Sequence, residues 1–145
     1  MKKLVVVVLL LVGLFAGCSS SKETVTVCTL EENGVLETET FYAKGDKVTS
    51  YISMLEFKAE DFFEGEELDV VLTSEPYEVE EYSGVTYKEY VEDGMVYFVY
   101  EIDFSVVSND TLVTLGLIDS SNSSSDYIGL KTTLAARENY SCVTE

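Results

Sequence analysis

The fold of this chain is decided by MVYFVYEIDF, residues 95–104, which has the clearest alternation of apolar side chains in the sequence. Every second residue is apolar or aromatic: Val96, Phe98, Tyr100, Ile102 and Phe104. Because successive side chains of a strand point to opposite faces, this period of two predicts a β-strand with one buried face. We expect this strand at the centre of a sheet.

A hairpin is predicted immediately before this strand. Glu92-Asp93-Gly94 separates it from a second strand-like run, Val85 to Val91. Asp-Gly favours a tight turn between antiparallel strands, because both residues tolerate positive φ. The two strands should therefore pair.

The N-terminal part of the domain is predicted to be a three-stranded meander. Its strands are expected over Thr24 to Leu30, Val35 to Ala43 and Val48 to Leu55, joined by turns at Asn33-Gly34 and Lys44-Gly45-Asp46. In the third strand, simple alternation places Val48 on the same face as Ser50, Ile52 and Met54.

Helices are predicted after both groups of strands. The acidic segment from Phe57 to Tyr82 has Leu68, Val71 and Leu72 at helical spacing, and Pro76 should end that helix before a short turn closing at Tyr82-Ser83-Gly84. Ser108 or Asn109 can cap a second helix with Leu112 to Ile118. Asp126 can cap a third, from Ile128 to Glu138.

With a last strand over Tyr140 to Thr144, these elements predict an α+β fold. The sheet would combine the meander, the hairpin and the C-terminal strand, packed against two to three short helices. Residues 23–145 suffice for a single domain.

The N-terminus has the features of a secretory signal. Lys2 and Lys3 precede an uncharged apolar run that ends in Ala16-Gly17-Cys18. This arrangement resembles a bacterial lipobox, which implies a signal peptide over 1–17, cleavage before Cys18 and acylation of Cys18 with fatty acids such as palmitate. Residues 18–22 would form a lipidated tether. The alternative is an uncleaved anchor in which Cys18 has no role.

The charge of the chain excludes some partners. Asp and Glu number 27 against 9 Lys and Arg, a formal net charge of -18 at pH 7, and removal of residues 1–17 takes away Lys2 and Lys3. Nucleic acid is itself negative, so we expect no nucleic-acid partner. Ten tyrosines and seven phenylalanines supply apolar surface that a disordered acidic chain lacks.

The two remaining cysteines, Cys28 and Cys142, lie in the first and last predicted strands. An even pair in an exported domain is a disulfide candidate, and this bond would join the two ends of the domain. The alternative is two buried free thiols, each packed as a small hydrophobic side chain.

The residue types argue against an enzyme. The chain has no histidine, which excludes Ser-His and Cys-His nucleophiles and the usual zinc sites. Paired carboxylates could act as in a glycosidase, but with so many acids some pairs arise by chance. We therefore predict no catalytic residue, no metal site and no cofactor. The acidic residues from Glu56 to Glu101 could bind cations or form a solvated face.

A thin resemblance to a known family extends over most of the domain. The chain is similar to the YehR-like small bacterial lipoproteins in the lipobox and in four short segments: Cys28-Thr29, Asn33 to Thr49, Gly84 to Tyr87 and Leu130 to Thr132. The resemblance implies an extracytoplasmic lipoprotein with an α+β fold and supplies no catalytic residues.

Together these features predict a lipoprotein anchored to the outer face of the cell membrane. We expect a non-enzymatic binding or assembly module of the cell envelope, with an unidentified envelope protein as its partner. The alternative is a lipoprotein that binds a small ligand or a divalent cation, and a carboxylate-based hydrolase is a further one.

Overall fold

The computed structural model describes residues 22–118 and 128–145, which contain one antiparallel sheet of seven strands. The strands are β1 (Glu23–Glu32), β2 (Val35–Lys44), β3 (Lys47–Lys58), β4 (Tyr77–Tyr82), β5 (Val85–Glu92), β6 (Met95–Asp103) and β7 (Ser141–Thr144). Their order across the sheet is β4-β5-β6-β3-β2-β1-β7. The strand that decides the fold, β6, is interior, but β3 occupies the middle position because β7 adds a strand beyond β1.

The predicted meander and hairpin are both present. β1 pairs with β2, β2 with β3, and β5 with β6, all antiparallel. The two turn signals act as expected, since Asn33 and Gly34 have φ of 53° and 81°, and Asp93 and Gly94 have φ of 51° and 79°. Positive φ at both turn residues matches the twist of the flanking strands.

A bulge moves Val48 to the face opposite the predicted one. Tyr42 pairs with Ser50 while Ala43 pairs with Val48, so Thr49 is an extra residue in β3. A bulge of this kind restarts the alternation, because two residues of one strand oppose one residue of the other. Val48 is therefore buried in the core, and the prediction that it shares a face with Ser50 is wrong.

The predicted central helix is two short helices. β3 continues to Lys58, and α1 (Ala59–Phe62) and α2 (Gly65–Leu72) follow it. Glu64 between them is extended, and Gly65 has a φ of 57°, which a glycine adopts without strain. The backbone at this point prevents a continuous helix.

The short turn predicted after Pro76 is instead the strand β4. Tyr77 pairs with Glu89 and Val79 with Tyr87, so β4 lies at the edge of the sheet beside β5. Proline is compatible with the position just before an edge strand, because no ladder bond needs its missing N–H. Glutamates alternate with Tyr77 and Val79, and charges on an edge strand hinder pairing with another chain.

The remaining helices are α3 (Asn109–Thr114) and α4 (Leu130–Ala135). The predicted cap of α3 is confirmed, since the Oγ of Ser108 accepts a hydrogen bond of 3.1 Å from the Thr111 N–H. α4 is shorter than predicted and begins after Gly129. Asp126, the cap expected from the sequence, lies outside the described residues.

The core lies where α3 and α4 pack on one face of the sheet, which we call the covered face. Two buried clusters fill it, one of Cys28, Phe41, Ala43, Val48 and Leu130, the other of Val85, Ile102, Val107 and Leu112. The fold is thus sheet-dominated and consistent with α+β, with four short helices in the described segments. None of these helices has the length and apolar character needed to cross a membrane.

Candidate functional site

The two cysteines predicted to pair are bonded to each other. Cys28 in β1 is directly opposite Cys142 in β7, their Cα atoms are 4.0 Å apart, and the S–S distance is 2.04 Å. Cys28 is completely buried, whereas Cys142 is exposed. Cys18, the predicted lipidation site, lies outside the described residues.

Hydrogen bonds reinforce the disulfide at the edge of the sheet. The hydroxyls of Thr26 and Thr144 are 2.8 Å apart, and Val25 and Glu145 exchange backbone hydrogen bonds of 3.2 and 2.9 Å. β7 has four residues, so it would be a weak strand without such support. The disulfide and these bonds fix the C-terminus to the sheet edge.

A buried carboxylate lies beside the disulfide on the covered face. Glu39 in β2 pairs directly with Cys28 and is only 2 % exposed. Its Oε2 accepts a bond of 2.8 Å from Arg137 Nε, and its Oε1 accepts bonds of 2.7 Å from Arg137 Nη2 and 2.6 Å from the Tyr51 hydroxyl. Both carboxylate oxygens are therefore satisfied by a bidentate guanidinium and a phenol.

The segment after α4 brings Arg137 to this carboxylate. Arg137 Nη1 donates to the carbonyl of Thr133 at 3.5 Å, and its Cζ lies 5.7 Å from the ring centre of Phe41. Three residues later, the Tyr140 hydroxyl donates to Glu37 at 2.7 Å. Two acidic side chains of β2 thus hold the chain between α4 and β7.

The electrostatics of the cluster favour a permanent ion pair. Burial acts to raise the pKa of Glu39, but the hydrogen bonds from Arg137 and Tyr51 outweigh it, so the pKa lies below its usual value. Burial and the bond to Glu39 raise the pKa of Tyr51, and the bond to Glu39 raises the pKa of Arg137. Burial and its bond to Glu37 raise the pKa of Tyr140 to about 12. At neutral pH the carboxylate is ionised and both phenols keep their protons.

A small cavity of about 210 Å³ adjoins the ion pair between the sheet and the helices. Aromatic rings of Phe41, Tyr51 and Phe104 line it together with aliphatic side chains, and Arg137 supplies the charged group. This volume is below the roughly 300–1,000 Å³ of typical ligand pockets. The cavity could hold a small molecule with an apolar body and one acidic group.

The buried cluster has little capacity for catalysis. Every buried side-chain nitrogen and oxygen of the described residues has a hydrogen-bond partner. Glu39 holds no transferable proton at neutral pH, and both of its oxygens are occupied. The arrangement is suited to fixing the C-terminal segment, because Nε, Nη1 and Nη2 of Arg137 all donate hydrogen bonds within the protein.

Sequence reasoning missed both members of this ion pair. Glu39 was one acid among many, although its position in β2 places it on the same face as Phe41. Arg137 is the one arginine of the chain, and arginine is the cation best suited to a buried carboxylate. A glutamate at an inward position of an alternating strand, with a single arginine elsewhere, is the signal that could have suggested the pair.

Eleven acidic side chains gather where β1, β3 and β5 end, a surface that we call the acidic end. The N–H of Ala59 donates to the carbonyl of Gly94 at 2.9 Å, which joins α1 to the turn between β5 and β6. The acids of this end are Glu31, Glu32, Glu56, Glu60, Asp61, Glu64, Glu66, Glu67, Asp69, Glu92 and Asp93. Within the described residues, no group of three or more such ligands is arranged to hold a metal ion. The loop acids Asp119 and Asp126 lie outside those residues.

Comparison with known proteins yields a structural likeness. No protein-family model matches the chain, and no curated protein matches it significantly. The NMR structure of the E. coli YehR protein is similar, with a TM-score of 0.56 and 17% sequence identity over 86% of this chain and 94% of that one. At this identity the likeness concerns the fold alone, and the described domain therefore has a YehR-like fold.

Proposed function

We propose that this chain is a lipoprotein anchored through Cys18 to the outer face of the bacterial cell membrane, where its domain binds an envelope protein and catalyses no reaction. The disulfide is the observation that carries the proposal. Cys28 and Cys142 are joined to each other, which leaves Cys18, directly behind the apolar leader, for another role. Disulfides persist in exported proteins, and the leader resembles an export signal that ends at a lipidated cysteine.

The polar chemistry of the domain supports binding over catalysis. The chain lacks histidine, and the buried carboxylate is fully occupied by Arg137 and Tyr51. The charge instead lies on the surface, where it acts over longer distances. An acidic surface speeds association with a basic partner and repels acidic ones. A protein with a basic surface is the partner that this charge fits.

Replacement of the anchor residue tests the cellular address. We expect wild-type protein to remain with membranes after high-salt washing and to have a mass raised by acyl chains. Cys18→Ala should be released and should lack that mass, whereas Ser19→Ala, the matched control beside it, should behave as wild type. Unchanged membrane retention and mass in the Cys18→Ala protein would refute the anchor.

Crosslinking in intact envelopes tests the partner. A basic envelope protein should crosslink to the wild-type domain, and neutralising Glu66, Glu67 and Asp69 with Gln and Asn should reduce that product several-fold. Neutralising Glu78 and Glu101, which lie within 4.0 and 3.2 Å of Lys88, provides a control with less loss of free negative charge. Equal crosslinking by both variants would exclude the acidic end as the binding surface.

The cavity beside Arg137 favours a second candidate, binding of a small acidic ligand. Its aromatic lining suits an apolar body, and Arg137, which is paired with Glu39, is the charged group at its wall that a ligand carboxylate would contact. Benzoate is a suitable probe, because a ligand that binds the native state raises the melting temperature. No shift with millimolar benzoate, compared with sodium chloride of equal ionic strength, would count against this candidate.

A further inference from the structure

The helix α2 carries apolar side chains that the core of the domain does not take up. Leu68, Val71 and Leu72 have the helical spacing that predicts a face packed on the sheet, yet no residue of α2 is buried. Leu68 and Leu72 line a gap of about 220 Å³ between the helix and the turn that joins β5 to β6. Val70 is 69 % exposed and Leu72 is 43 % exposed. α2 therefore presents apolar surface to water.

An open hollow lies against a different side of α2. It has a volume of about 520 Å³, and its apolar wall consists of Phe63, which follows α1, and of Val70 and Val71. Glu66 and Glu67, one helical turn before the two valines, form the rest of the wall. We call these five residues the α2 hollow. Apolar side chains that are exposed together and rimmed by charged ones are typical of sites where another protein binds.

The charge around the α2 hollow is strongly negative. Residues 59–72 contain six acids and no basic residue, and all six acidic side chains are exposed. The ion pairs of the described segments are formed by Lys88 and Arg137, so none of them neutralises these carboxylates. Lys58, the basic residue nearest in sequence, lines the gap on the other side of α2. A partner that binds in the hollow therefore has to bring positive charge.

This charge disfavours two other occupants of the hollow. A second copy of the chain has the same formal net charge of -18, and a two-fold contact through the hollow would place the six acids of one copy against the six of the other. Anionic lipid head groups would be repelled in the same way. The apolar wall and the acidic rim together fit a protein segment that is apolar on one side and basic beside it.

The backbone at the hollow indicates that this segment is a helix. Addition of a strand requires a sheet edge with unpaired N–H and C=O groups. The hollow is built of side chains on a helix, whose backbone groups bond to one another. A segment that docks there must satisfy its own backbone hydrogen bonds, as an α-helix does.

We infer that the α2 hollow binds a basic amphipathic helix of the partner protein. The apolar side chains of that helix contact Val70 and Val71, and its lysines or arginines pair with Glu66, Glu67 and Asp69. This inference rests on the proposed function, and it adds the kind of segment that the partner contributes. In such a docking mode the apolar residues of the bound helix recur at i, i+3 or i+4, and i+7.

Photo-crosslinking from one position in intact envelopes tests the inference. p-Benzoylphenylalanine replaces Val70 in the full-length protein, and Val106, which is 53 % exposed and follows β6 at the opposite end of the sheet, is the control position. The yield should be several-fold greater from position 70. Mass spectrometry should identify the crosslinked segment as one with net positive charge and apolar residues at helical spacing. Equal yields from both positions, a crosslink to a second copy, or a segment without this pattern would overturn the inference.

A single substitution separates apolar docking from attraction by charge alone. Val70→Ser removes apolar surface without changing the charge, so it should reduce the product of chemical crosslinking to the partner several-fold. Val106→Ser, the matched control, should leave that product unchanged. Both variants should keep the melting temperature of the wild type, because both valines are exposed. An undiminished product with Val70→Ser would refute docking in the hollow.

Failure of this inference and failure of the proposed partner surface give different results. A product that is reduced by E66Q/E67Q/D69N but not by Val70→Ser keeps the acidic end as the binding surface and refutes the docked helix. A product that neither variant reduces excludes the acidic end, and both proposals for that surface then fall.

Discussion

At the scale of single residues, the buried pair of Glu39 and Arg137 has a large influence on the fold. Removing a carboxylate from water is costly, and here the cost is offset by two hydrogen bonds from one guanidinium and a third from Tyr51. Replacing both partners of a buried ion pair by apolar side chains often leaves the stability of a protein unchanged or raises it. Loss of one partner alone is destabilising, because it leaves a buried charge without a counter-charge. The pair therefore fixes where the C-terminal segment lies more than it adds net stability.

Arg137→Met should destabilise the domain by about 3 kcal/mol, because the buried Glu39 carboxylate then loses its counter-charge. The double variant E39Q/R137M should recover most of that loss, since neither charge remains. Urea unfolding of both proteins at pH 7 measures the difference. Equal stability of the single and double variants would show that the charge pair is not coupled.

The same carboxylate predicts a pH dependence. Because the folded pKa of Glu39 is lowered from 4.5, its contribution is present above that value and is lost as the pH falls through the folded pKa. The stability advantage of the wild type over Glu39→Gln should therefore shrink below about pH 4.5. Unfolding of both proteins from pH 7 to pH 3 provides the measurement, and a constant difference would contradict the prediction.

At the scale of elements, the strands and turns with strong local signals could be predicted from the sequence. The strand β6 and the Asn-Gly and Asp-Gly turns arise from patterns of a few residues, and the structure contains all three. The prediction of one buried face in β6 is wrong, because Tyr97 and Val99 on the opposite face from Val96 are also buried. β4 could not be predicted, because it is short and half of its residues are glutamates, which have a low strand propensity. It forms a strand through its pairing with β5, a tertiary contact that its own sequence does not indicate. The Glu39–Arg137 contact joins residues 98 apart in sequence, a separation over which no local pattern operates.

The disulfide is expected to keep the edge strand β7 paired with β1. Cys28 and Cys142 are 114 residues apart, and opening so long a loop should cost about 5 kcal/mol in the chain-entropy model. Cys142→Ala should also let the four-residue strand β7 separate locally from β1. Amide hydrogen exchange should therefore accelerate at residues 26–29 and 141–144 before it does between β3 and β6. The chain-entropy loss alone accelerates exchange throughout the sheet, so equal acceleration at residues 26–29 and between β3 and β6 would contradict a local edge clamp.

At the scale of the whole molecule, the formal net charge of -18 makes self-repulsion a general property of the chain. Most carboxylates of the acidic end are exposed to solvent. The repulsion is therefore the sum over many pairs of carboxylates, and each pair lowers the stability only slightly. Salt screens such pairs without binding at any one site. Stability should therefore respond to ionic strength more than to the identity of the cation.

Raising sodium chloride from about 0.01 M to about 1 M shortens the Debye length from about 30 Å to about 3 Å. If screening relieves about 1–2 kcal/mol of repulsion, the melting temperature should rise by roughly 4–8 °C. The variant E66Q/E67Q/D69N has fewer unpaired charges and should gain less from salt. E78Q/E101Q removes two acids near Lys88 and should gain as much as the wild type. Calcium chloride at matched ionic strength separates the two explanations, because an additional rise would indicate a bound cation and an equal rise would indicate screening alone.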